Sequence, residues 1–505
     1  MALMLCAVVV HAGDGLAGLA RYFSHTTEWA QQAEHRQRLP LPPRLVDAYE
    51  FWIRVYSEWD STQALLHRDR SFELKTDALG QVVLLDTRSD EVKRYSNVGE
   101  RDRARSAGHK EYWRMQRGMR DLLLTAMQTY VYFQHPMEEA LAKSGLPVEV
   151  LALGFLESLY TPDARSKTGA VGVFQIQPWE GHKLGARMGP AFNELLDPIT
   201  SARLAADKLK TDLAALERTA REAGIEVQGQ SLWPLAVTAY NQGVHLVIRA
   251  VQDTRSVDLL RVVIDDEASR FGFSGRNFYV QFRMFADLLR NSKADLARAD
   301  WPRMDPLVEI TVGRFLDWPG FIERCGLHPA WLKPMNLGIT DLGWDGVLYL
   351  PPDAQVRFPR IQLERVQKCL QGPALGAMHE AQRNLTSYRL RKGDNLTTVA
   401  QRLGCTPFDL MAVNDIDREK AARMAVGTLV RVPTRRYAEL AEQVESWAQR
   451  GRPRPLSFAP YTVRAGDDVE KVERIHGLKH PELAKWNDLT GWRPGLVVHV
   501  PEYAP

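Results

Sequence analysis

The sequence has few cysteines and no arrangement of them that would hold a metal. Its four cysteines are scattered over 505 residues, without a Cys-x-x-Cys pair and without histidines at zinc-ligand spacing. This pattern excludes the common structural zinc sites, and such widely separated thiols do not make a disulfide framework. We therefore expect no metal, and cysteine usage does not indicate the redox compartment.

The chain also lacks a strong charge of either sign and a long apolar run. Lys and Arg number 65 against 62 Asp and Glu, so the formal net charge is +3, far from the basic field typical of nucleic-acid binders. The N-terminal apolar run is shorter than the roughly 20 residues that cross a membrane. We interpret residues 1–14 as a truncated signal peptide, with a buried N-terminal strand as the alternative.

A glycine-rich stretch near the N-terminus has the spacing of a dinucleotide-binding loop. Residues 13–18 read GDGLAG, and Glu34 follows at the distance of a ribose-binding acid. That fold needs a second buried strand ending at the acid, but the intervening SHTTEWAQQAE is polar. We therefore expect no cofactor.

Length and apolar spacing predict several domains, of which the first is helical. A chain of 505 residues exceeds one ordinary core. Apolar residues recur at spacings of three and four over residues 44–300, as in ITSARLAADKLKTDLAAL, which predicts an α domain. Pro147 and Pro198 are expected in first helical turns, and Asp197 as a helix N-cap. We place the main helical domain at 105–300.

The segment before this domain is predicted as an N-terminal helical extension at 40–104. Within it, FELKTDALGQVVLLDTR has the alternation and turn residues of a small hairpin.

The C-terminal half contains a repeated unit of strand, helix, helix and strand. Complete copies cover 387–433 and 461–501, and each closes on Val-Pro. A third copy at 306–352 lacks the Gly-Asp turn and is predicted to close on GVLYLP. Residues 434–460, which end in an Arg- and Pro-containing stretch, are predicted to be a linker. The residues that share offsets between copies are Gly404, Leu410 and Asn414; Gly477, Leu483 and Asn487; and Gly326, Leu332 and Asn336.

These units resemble LysM modules, and the resemblance implies binding of glycans that contain N-acetylglucosamine. Glycan-binding candidates are Gly393, Asp394, Gly466 and Asp467, in the loops that follow the first strands. The alternative is that the two aspartates cap helices or form turns. The shared leucines are expected in cores, and the shared asparagines are expected to satisfy nearby backbone.

In the helical domain, one carboxylate extends an apolar helical stripe. Val150, Leu153, Gly154 and Glu157 share a face by the three- and four-residue rule. Burial would raise the pKa of Glu157 and keep it protonated near neutrality, which is the requirement for a general acid. The alternative is a glutamate at a frayed helix end that points to water.

The loop after Glu157 favours the catalytic interpretation. PDARSKTGAVGVFQIQP supplies Ser166, small residues where backbone passes close to a neighbour, and Gln175 within an apolar run. A buried amide needs a partner, because leaving it unpaired costs roughly 1–3 kcal/mol. Sugar hydroxyl or acetamido groups would provide one.

This string resembles the signature of soluble lytic transglycosylase catalytic domains. The motif is Glu-Ser…Ala-x-Ser-x-x-Gly-Ala-x-Gly-x-x-Gln-x-x-Pro, followed here in order by TAYNQG at 238–243 and SGRNFYVQF at 274–282. The last piece best matches the membrane-bound D type, which also carries C-terminal LysM modules. The resemblance implies a multidomain protein, with a mainly α, lysozyme-like catalytic domain followed by small α+β (βααβ) modules.

The resemblance also assigns roles to residues. Glu157 would be the catalytic acid/base, Ser166 and Gln175 would hold substrate, Tyr240 and Asn241 would line the cleft, and Tyr279 would lie beside the acid. Ser158 would support the helix end. Local alternatives are core packing for both tyrosines and a helix C-cap for Asn241. Gln177 and Gln242 depart from the family pattern.

The number of carboxylates bears on the reaction. Hydrolytic glycosidases normally need a second carboxylate, and Asp163 is the nearest in sequence, although its place beside Pro162 favours a turn. In the family, one carboxyl suffices because the muramic acid C6 hydroxyl is the nucleophile, and a 1,6-anhydro ring forms. The expected function is non-hydrolytic cleavage of the MurNAc–GlcNAc β-1,4 bond. Alternatives are a hydrolytic muramidase and a non-catalytic glycan-binding scaffold.

The expected partner is therefore the peptidoglycan glycan strand, and nucleic acid is not expected. We expect a monomer in the periplasm or cell envelope, with outer-membrane association as a further hypothesis.

Overall fold

The computed structural model describes most of the chain as two compact units. The first unit contains residues up to 186 and 195–305, and the second contains 187–194 and everything from 306 onward. Residues 1–14, interpreted above as a signal peptide, lie outside the described residues. The structure describes residues 38–90, 92, 112–227, 231–266, 268, 270–298, 301–416, 418–450 and 453–503.

The first unit is mainly helical, as the apolar spacing predicted. Asp197 caps the helix Pro198–Glu222 by accepting the Thr200 N–H at 3.0 Å, and Pro198 occupies the first turn. This long helix packs along Arg120–Ser144, while Phe273–Arg298 packs against the 3₁₀ helix Val148–Ala152. The α-helices of this unit are Val46–Ser57, Arg120–Ser144, Leu153–Ser158, Pro178–Lys183, Pro198–Glu222, Trp233–Gln242, Val244–Thr254 and Phe273–Arg298.

The segment predicted as a helical extension contributes two strands to a three-stranded antiparallel sheet. Gln63–Arg68 is the central strand, between Leu84–Asp86 and Trp113–Arg117. In the described part of 40–104, the chain is helical at Val46–Ser57 and then contains the strands Gln63–Arg68 and Leu84–Asp86. The central strand is buried, and a short buried apolar run does not distinguish strand from helix. The expected hairpin is present, with a bridge between Thr76 and Val82.

The second unit is an array of strand pairs with short helices between them. Each pair is antiparallel and encloses the helices of one module. The pairs are Leu307–Thr311 with Gln355–Pro359, Ser387–Arg389 with Leu429–Arg431, and Ser457–Thr462 with Val497–Glu502; a further pair joins Phe315–Leu316 to Met378–His379. The α-helices are Trp318–Arg324, Pro329–Leu332, Asp341–Trp344, Leu363–Leu370, Leu396–Leu403, Pro407–Val413, Arg418–Ala422, Arg435–Gln449 and Val469–Ile475.

One asparagine ties the helices of each module to its closing strand. In the first module, the Asn336 side chain donates to the carbonyls of Leu332 (3.0 Å) and Arg357 (2.8 Å) and accepts the Arg357 N–H (2.8 Å). Asn414 and Asn487 make the same three bonds in their modules. This outcome confirms that the shared asparagines satisfy nearby backbone. Their partners are Leu410 and Arg431 for Asn414, and Leu483 and His499 for Asn487.

The same bond corrects the end of the degenerate module. Asn336 bonds to Gln355–Pro359, so the closing strand is this segment and the prediction of GVLYLP was wrong. The helix Asp341–Trp344 is inserted before it, and Leu350 of GVLYLP instead bridges Leu316. The unit therefore extends from about 307 to 359 rather than 306–352. The insertion moves the strand away from the offset seen in the other copies.

A disulfide joins two of the scattered cysteines in this unit. Cys325 and Cys369 have Cα atoms 5.5 Å apart and connect the ends of Trp318–Arg324 and Leu363–Leu370. Their separation of 44 residues in sequence gave no pairing signal. Disulfides persist in oxidising compartments, so this disulfide indicates the redox compartment, which cysteine spacing alone did not.

The predicted linker at 434–460 is largely a helix. Arg435–Gln449 places Tyr437 and Leu440 in a core that also contains Phe458 and Trp486. The Tyr437 hydroxyl donates to the Phe458 carbonyl at 3.0 Å. The linker prediction was wrong because the Arg- and Pro-containing end of the segment obscured the helical spacing of YAELAEQV.

Among the described residues, no helix combines the length and apolar character that a membrane span requires.

We expect Asn336→Ala to destabilise the second unit by about 1–3 kcal/mol, because a buried N–H and two carbonyls lose their partner. Asn384→Ala is the matched control, since Asn384 is exposed, and should change stability by less than about 0.5 kcal/mol. Urea unfolding together with amide hydrogen exchange in Gln355–Pro359 measures both. Equal effects of the two substitutions would contradict the role given to Asn336.

Candidate active site

Glu157 lies near the end of a short helix that is followed by a left-handed turn. It belongs to the short helix Leu153–Ser158, and the next two residues, Leu159 and Tyr160, both adopt left-handed φ angles of 50° and 52°. Such conformations cost free energy for non-glycine residues and need support from their surroundings. Buried Tyr160 provides it by donating its hydroxyl to the Leu151 carbonyl at 2.7 Å.

The surroundings of Glu157 are those of a carboxyl that keeps its proton. Burial raises the pKa of Glu157 to about 8, while the positive charge of Lys208 opposes the rise. Among the described residues, no group donates a hydrogen bond to its carboxyl. A protonated, unengaged carboxyl at neutral pH favours the general-acid interpretation over the frayed helix end.

The loop after Glu157 folds back and is held by the neighbouring serine. The Ser158 hydroxyl donates to the Val173 carbonyl at 2.8 Å and accepts the Thr161 N–H at 3.1 Å. This is the local support expected of Ser158. Gly172 allows the close approach, since a β-carbon there would lie 1.8 Å from the Leu195 carbonyl oxygen.

The side chains of Ser166 and Gln175 form hydrogen bonds within the loop. The Ser166 hydroxyl accepts the Ala170 N–H at 2.9 Å and so closes a tight turn. Gln175 has a left-handed φ of 47°, and its amide nitrogen donates to the carbonyls of Gly172 (2.8 Å) and Ala164 (3.3 Å). The amide thus finds its partner in the loop backbone. Contact of these two residues with substrate stays a prediction.

Tyr240 and Asn241 end the helix Trp233–Gln242. Tyr240 is 8% exposed and donates its hydroxyl to the Phe174 carbonyl at 2.8 Å, which fastens this helix to the loop. Burial raises the pKa of Tyr240, and the charge of Glu157 adds to the rise, so the two groups are close enough to interact. Asn241 is exposed and accepts a 2.5 Å bond from Gln242.

Tyr279 is fully buried and its hydroxyl is engaged elsewhere. It donates to the Pro40 carbonyl at 2.6 Å. Burial raises the pKa of Tyr279, and the charged groups that act on it are Arg283 and Asp287. The position predicted for it beside the acid is therefore not supported by a contact with Glu157 among the described residues.

A buried ion cluster near Glu157 was missed by the sequence reasoning. Lys208, 7% exposed, places its Nζ 2.8 Å from Glu180 and 3.0 Å from Asp212, which is 4% exposed. Burial lowers the pKa of Lys208, but the two carboxylates outweigh this effect and raise it. The i,i+4 spacing of Lys208 and Asp212 on an apolar face was the available signal.

No second carboxyl of this region is free to act as a nucleophile, within the part of the chain that the structure describes. Asp163 is exposed in a turn, as expected, and Glu180 and Asp212 are paired with Lys208. The arrangement suits chemistry that needs one proton-transferring carboxyl.

The glycan-binding candidates of the repeats are turn residues. The Asp394 carboxylate accepts bonds from the Arg391 N–H, the Tyr388 hydroxyl and Arg402, each at 2.8 Å. Asp467 has equivalent bonds with Arg464, Tyr461 and Lys471. The helix caps are the following residues, Asn395 and Asp468. Gly393 and Gly466 adopt left-handed φ angles of 88° and 82°, and glycan contact at these loops stays a prediction.

Comparison with known protein families matches residues 135–259 to the "Transglycosylase SLT domain" and residues 388–433 to the "LysM domain". The chain has an SLT domain followed by a LysM domain. The SLT match contains Glu157 and its loop, the Lys208 cluster and Tyr240. Tyr279 lies outside it.

Individual relatives match most of the chain. The chain is 24% identical over 423 residues to membrane-bound lytic murein transglycosylase D of Escherichia coli strain K12, covering 80% of this chain and 82% of the relative. The same values hold for that protein of Escherichia coli O6:H1. The solved structure of an inactive mutant of lytic transglycosylase Slt from Pseudomonas aeruginosa is 20% identical with a TM-score of 0.25, covering 32% of this chain and 25% of that chain.

Gly172→Ala should disrupt the loop after Glu157. The new β-carbon would collide with the Leu195 carbonyl, and alanine is strained at the left-handed φ of 80°. We expect a loss of stability on the order of 3 kcal/mol or more. Gly169→Ala is the matched control: its φ is also left-handed, at 97°, but a β-carbon there meets open space, so about 1–2 kcal/mol is expected. Thermal unfolding of the two variants decides, and equal losses would show that the close approach to Leu195 is unimportant.

Glu157→Gln should stabilise the protein, increasingly as pH rises. The unfolded carboxyl ionises above its ordinary pKa of 4.5, whereas the folded one holds its proton to about pH 8. The unfolded state therefore binds fewer protons between these values, and wild-type stability falls across the interval. Urea unfolding at pH 5.5 and pH 8.5 should show a small gain at the lower pH and a larger one at the higher. The exposed Asp163→Asn is the control, and a pH-independent gain for Glu157→Gln would contradict the raised pKa.

Proposed function

We propose that the protein is a peptidoglycan lytic transglycosylase, a lyase that cleaves the MurNAc–GlcNAc β-1,4 bond without water. The observation that carries the proposal is one half-buried carboxyl, Glu157, whose pKa is raised by burial, in an SLT domain. The relatives named lytic murein transglycosylase D support the same reaction.

One carboxyl can perform both proton transfers. Protonated Glu157 donates to the glycosidic oxygen as its bond to C1 of MurNAc breaks. The resulting carboxylate then removes the proton from the C6 hydroxyl of the same sugar, whose oxygen bonds to C1 and closes the 1,6-anhydro ring. The proton lost in the first step is regained in the second. A pKa of Glu157 near 8 suits both steps around neutral pH.

The remaining site residues are proposed to shape the sugar-binding cleft. Ser166 and Gln175 fix the shape of the loop by hydrogen bonds within it. The Gln175 amide oxygen is proposed to accept a hydrogen bond from a sugar hydroxyl. Asn241 is exposed at the end of its helix and can reach a ligand. Tyr240 fixes the helix to the loop through Phe174.

We propose that the repeats anchor the enzyme to its polymer. The LysM domain at 388–433 has counterparts at 461–501 and about 307–359, since all three share the asparagine bond. Several weak modules on one chain raise the local concentration of glycan at the cleft. Gly393, Asp394, Gly466 and Asp467 contribute by shaping the loops.

A cell-envelope location is proposed on two grounds. The Cys325–Cys369 disulfide suits an oxidising compartment, and the Escherichia coli relatives are named membrane-bound. Outer-membrane association and a monomeric state stay predictions.

Digestion of purified peptidoglycan followed by mass spectrometry tests the reaction. We expect 1,6-anhydro-MurNAc ends, and reducing MurNAc ends would show a hydrolytic muramidase instead. Retained glycan binding with no cleavage would show a scaffold.

Glu157→Gln should lower the cleavage rate by about 10²–10⁴-fold, because an amide cannot transfer the proton. Asp163→Asn, on the exposed turn that follows, should stay within a few-fold of wild type. Wild-type activity in Glu157→Gln would overturn the assignment of the acid.

A further inference from the structure

The cluster of Glu180, Lys208 and Asp212 takes no part in the proton transfers proposed for Glu157. Three ionised groups are held together by bonds of 2.8 and 3.0 Å, with the ammonium 8% exposed at its side chain and Asp212 6%. Burying such a cluster is expensive, and apolar residues of similar size often serve stability as well or better. A cluster of this kind beside a candidate acid therefore needs a functional reason.

Its location supplies one. The Lys208 ammonium lies 5.1 Å from the centroid of the Tyr240 ring, and the Tyr240 hydroxyl in turn bonds to Phe174 in the loop that encloses Glu157. Glu180 reaches the cluster from the helix Pro178–Lys183, which continues directly from that loop. The cluster thus joins three elements around the acid: the long helix, the helix of Tyr240 and the end of the loop.

We propose that Lys208 is a positioning residue of this site: held by Glu180 and Asp212 against the Tyr240 ring, its positive charge sets the pH range over which Glu157 exchanges its proton. The inference rests on the function proposed above. Glu157 must release a proton and then regain one, and burial alone would favour only the protonated form. A nearby fixed cation stabilises the carboxylate that exists between the two steps.

The charges that face Glu157 act in opposite directions. Lys208 lowers the pKa of Glu157, against the larger effect of burial. Glu180 and Asp212 partly cancel the effect of Lys208 on this pKa. His245, in the helix Val244–Thr254, lowers the pKa of Asp212. Tyr240 stays neutral, because burial and then Glu157 raise its pKa. Removing the Lys208 cation should therefore raise the pKa of Glu157. Removing one of the two carboxylates should lower it.

Two substitutions should therefore shift the pH profile in opposite directions. Lys208→Met removes the cation, so the fall of kcat/KM on the basic side of the profile should shift to higher pH by about one pH unit. Asp212→Asn removes a compensating anion and leaves Lys208 in place, so the limb should move down. Lys208→Arg keeps the charge and should restore the wild-type limb. A cluster that only supports folding would reduce activity at every pH without these opposite shifts.

A measurement that does not need activity completes the test. The carboxyl of Glu157 is titrated by NMR in protein labelled with ¹³C at glutamate Cδ, and its signal is assigned by its loss in Glu157→Gln. The midpoint should rise in Lys208→Met and fall in Asp212→Asn. Unchanged midpoints in folded variants would overturn the role of Lys208.

The result is separable from the fate of the proposed function. If Glu157→Gln abolishes cleavage but the midpoints do not move, only the inference about Lys208 fails. If Glu157→Gln cleaves normally, the proposed site fails, whatever the titration shows.

Discussion

The geometry of the site depends on one constraint, which is that a carboxyl is partly shielded from water at the point where a helix ends. Two consecutive left-handed residues, Leu159 and Tyr160, turn the chain sharply, and the Ser158 bond to Val173 draws the following loop back over the helix end. Because the loop closes in this way, burial has a larger effect on the pKa of Glu157 than the charge of Lys208 has. The proposed role of Glu157 as a single acid/base depends on that shielding.

The loop is closed from several sides by bonds to backbone. Gly172 approaches Leu195, the Gln175 amide binds two loop carbonyls, and Tyr240 binds Phe174. Side chains that resemble ligand-binding residues in sequence therefore also build the site. A binding loop must have a fixed shape, and these bonds to backbone provide one.

The second unit uses a single interaction three times. Each asparagine satisfies one N–H and two carbonyls at the junction of helix and closing strand, so a module of about 50 residues can keep its strand in register with a small core. The degenerate copy keeps this bond even though it has lost the Gly-Asp turn and gained an inserted helix and a disulfide. The asparagine is thus a better marker of the repeat than its loops are.

The sequence alone determined the mainly helical domain, the repeats, and the position of Glu157 at the end of an apolar stripe before a Gly-rich loop, because periodicity and spacing are local properties of the chain. Tertiary structure decided what depends on residues far apart. It paired Cys325 with Cys369, placed the closing strand of the degenerate module at Gln355–Pro359, turned the predicted linker into a helix and engaged Tyr279 with Pro40. It also assembled the ion cluster, since burial of Lys208 arises only when separate helices and the loop pack together. Local pattern picks out Glu157 as the candidate acid, and packing determines how far its carboxyl is buried and which charges lie near it.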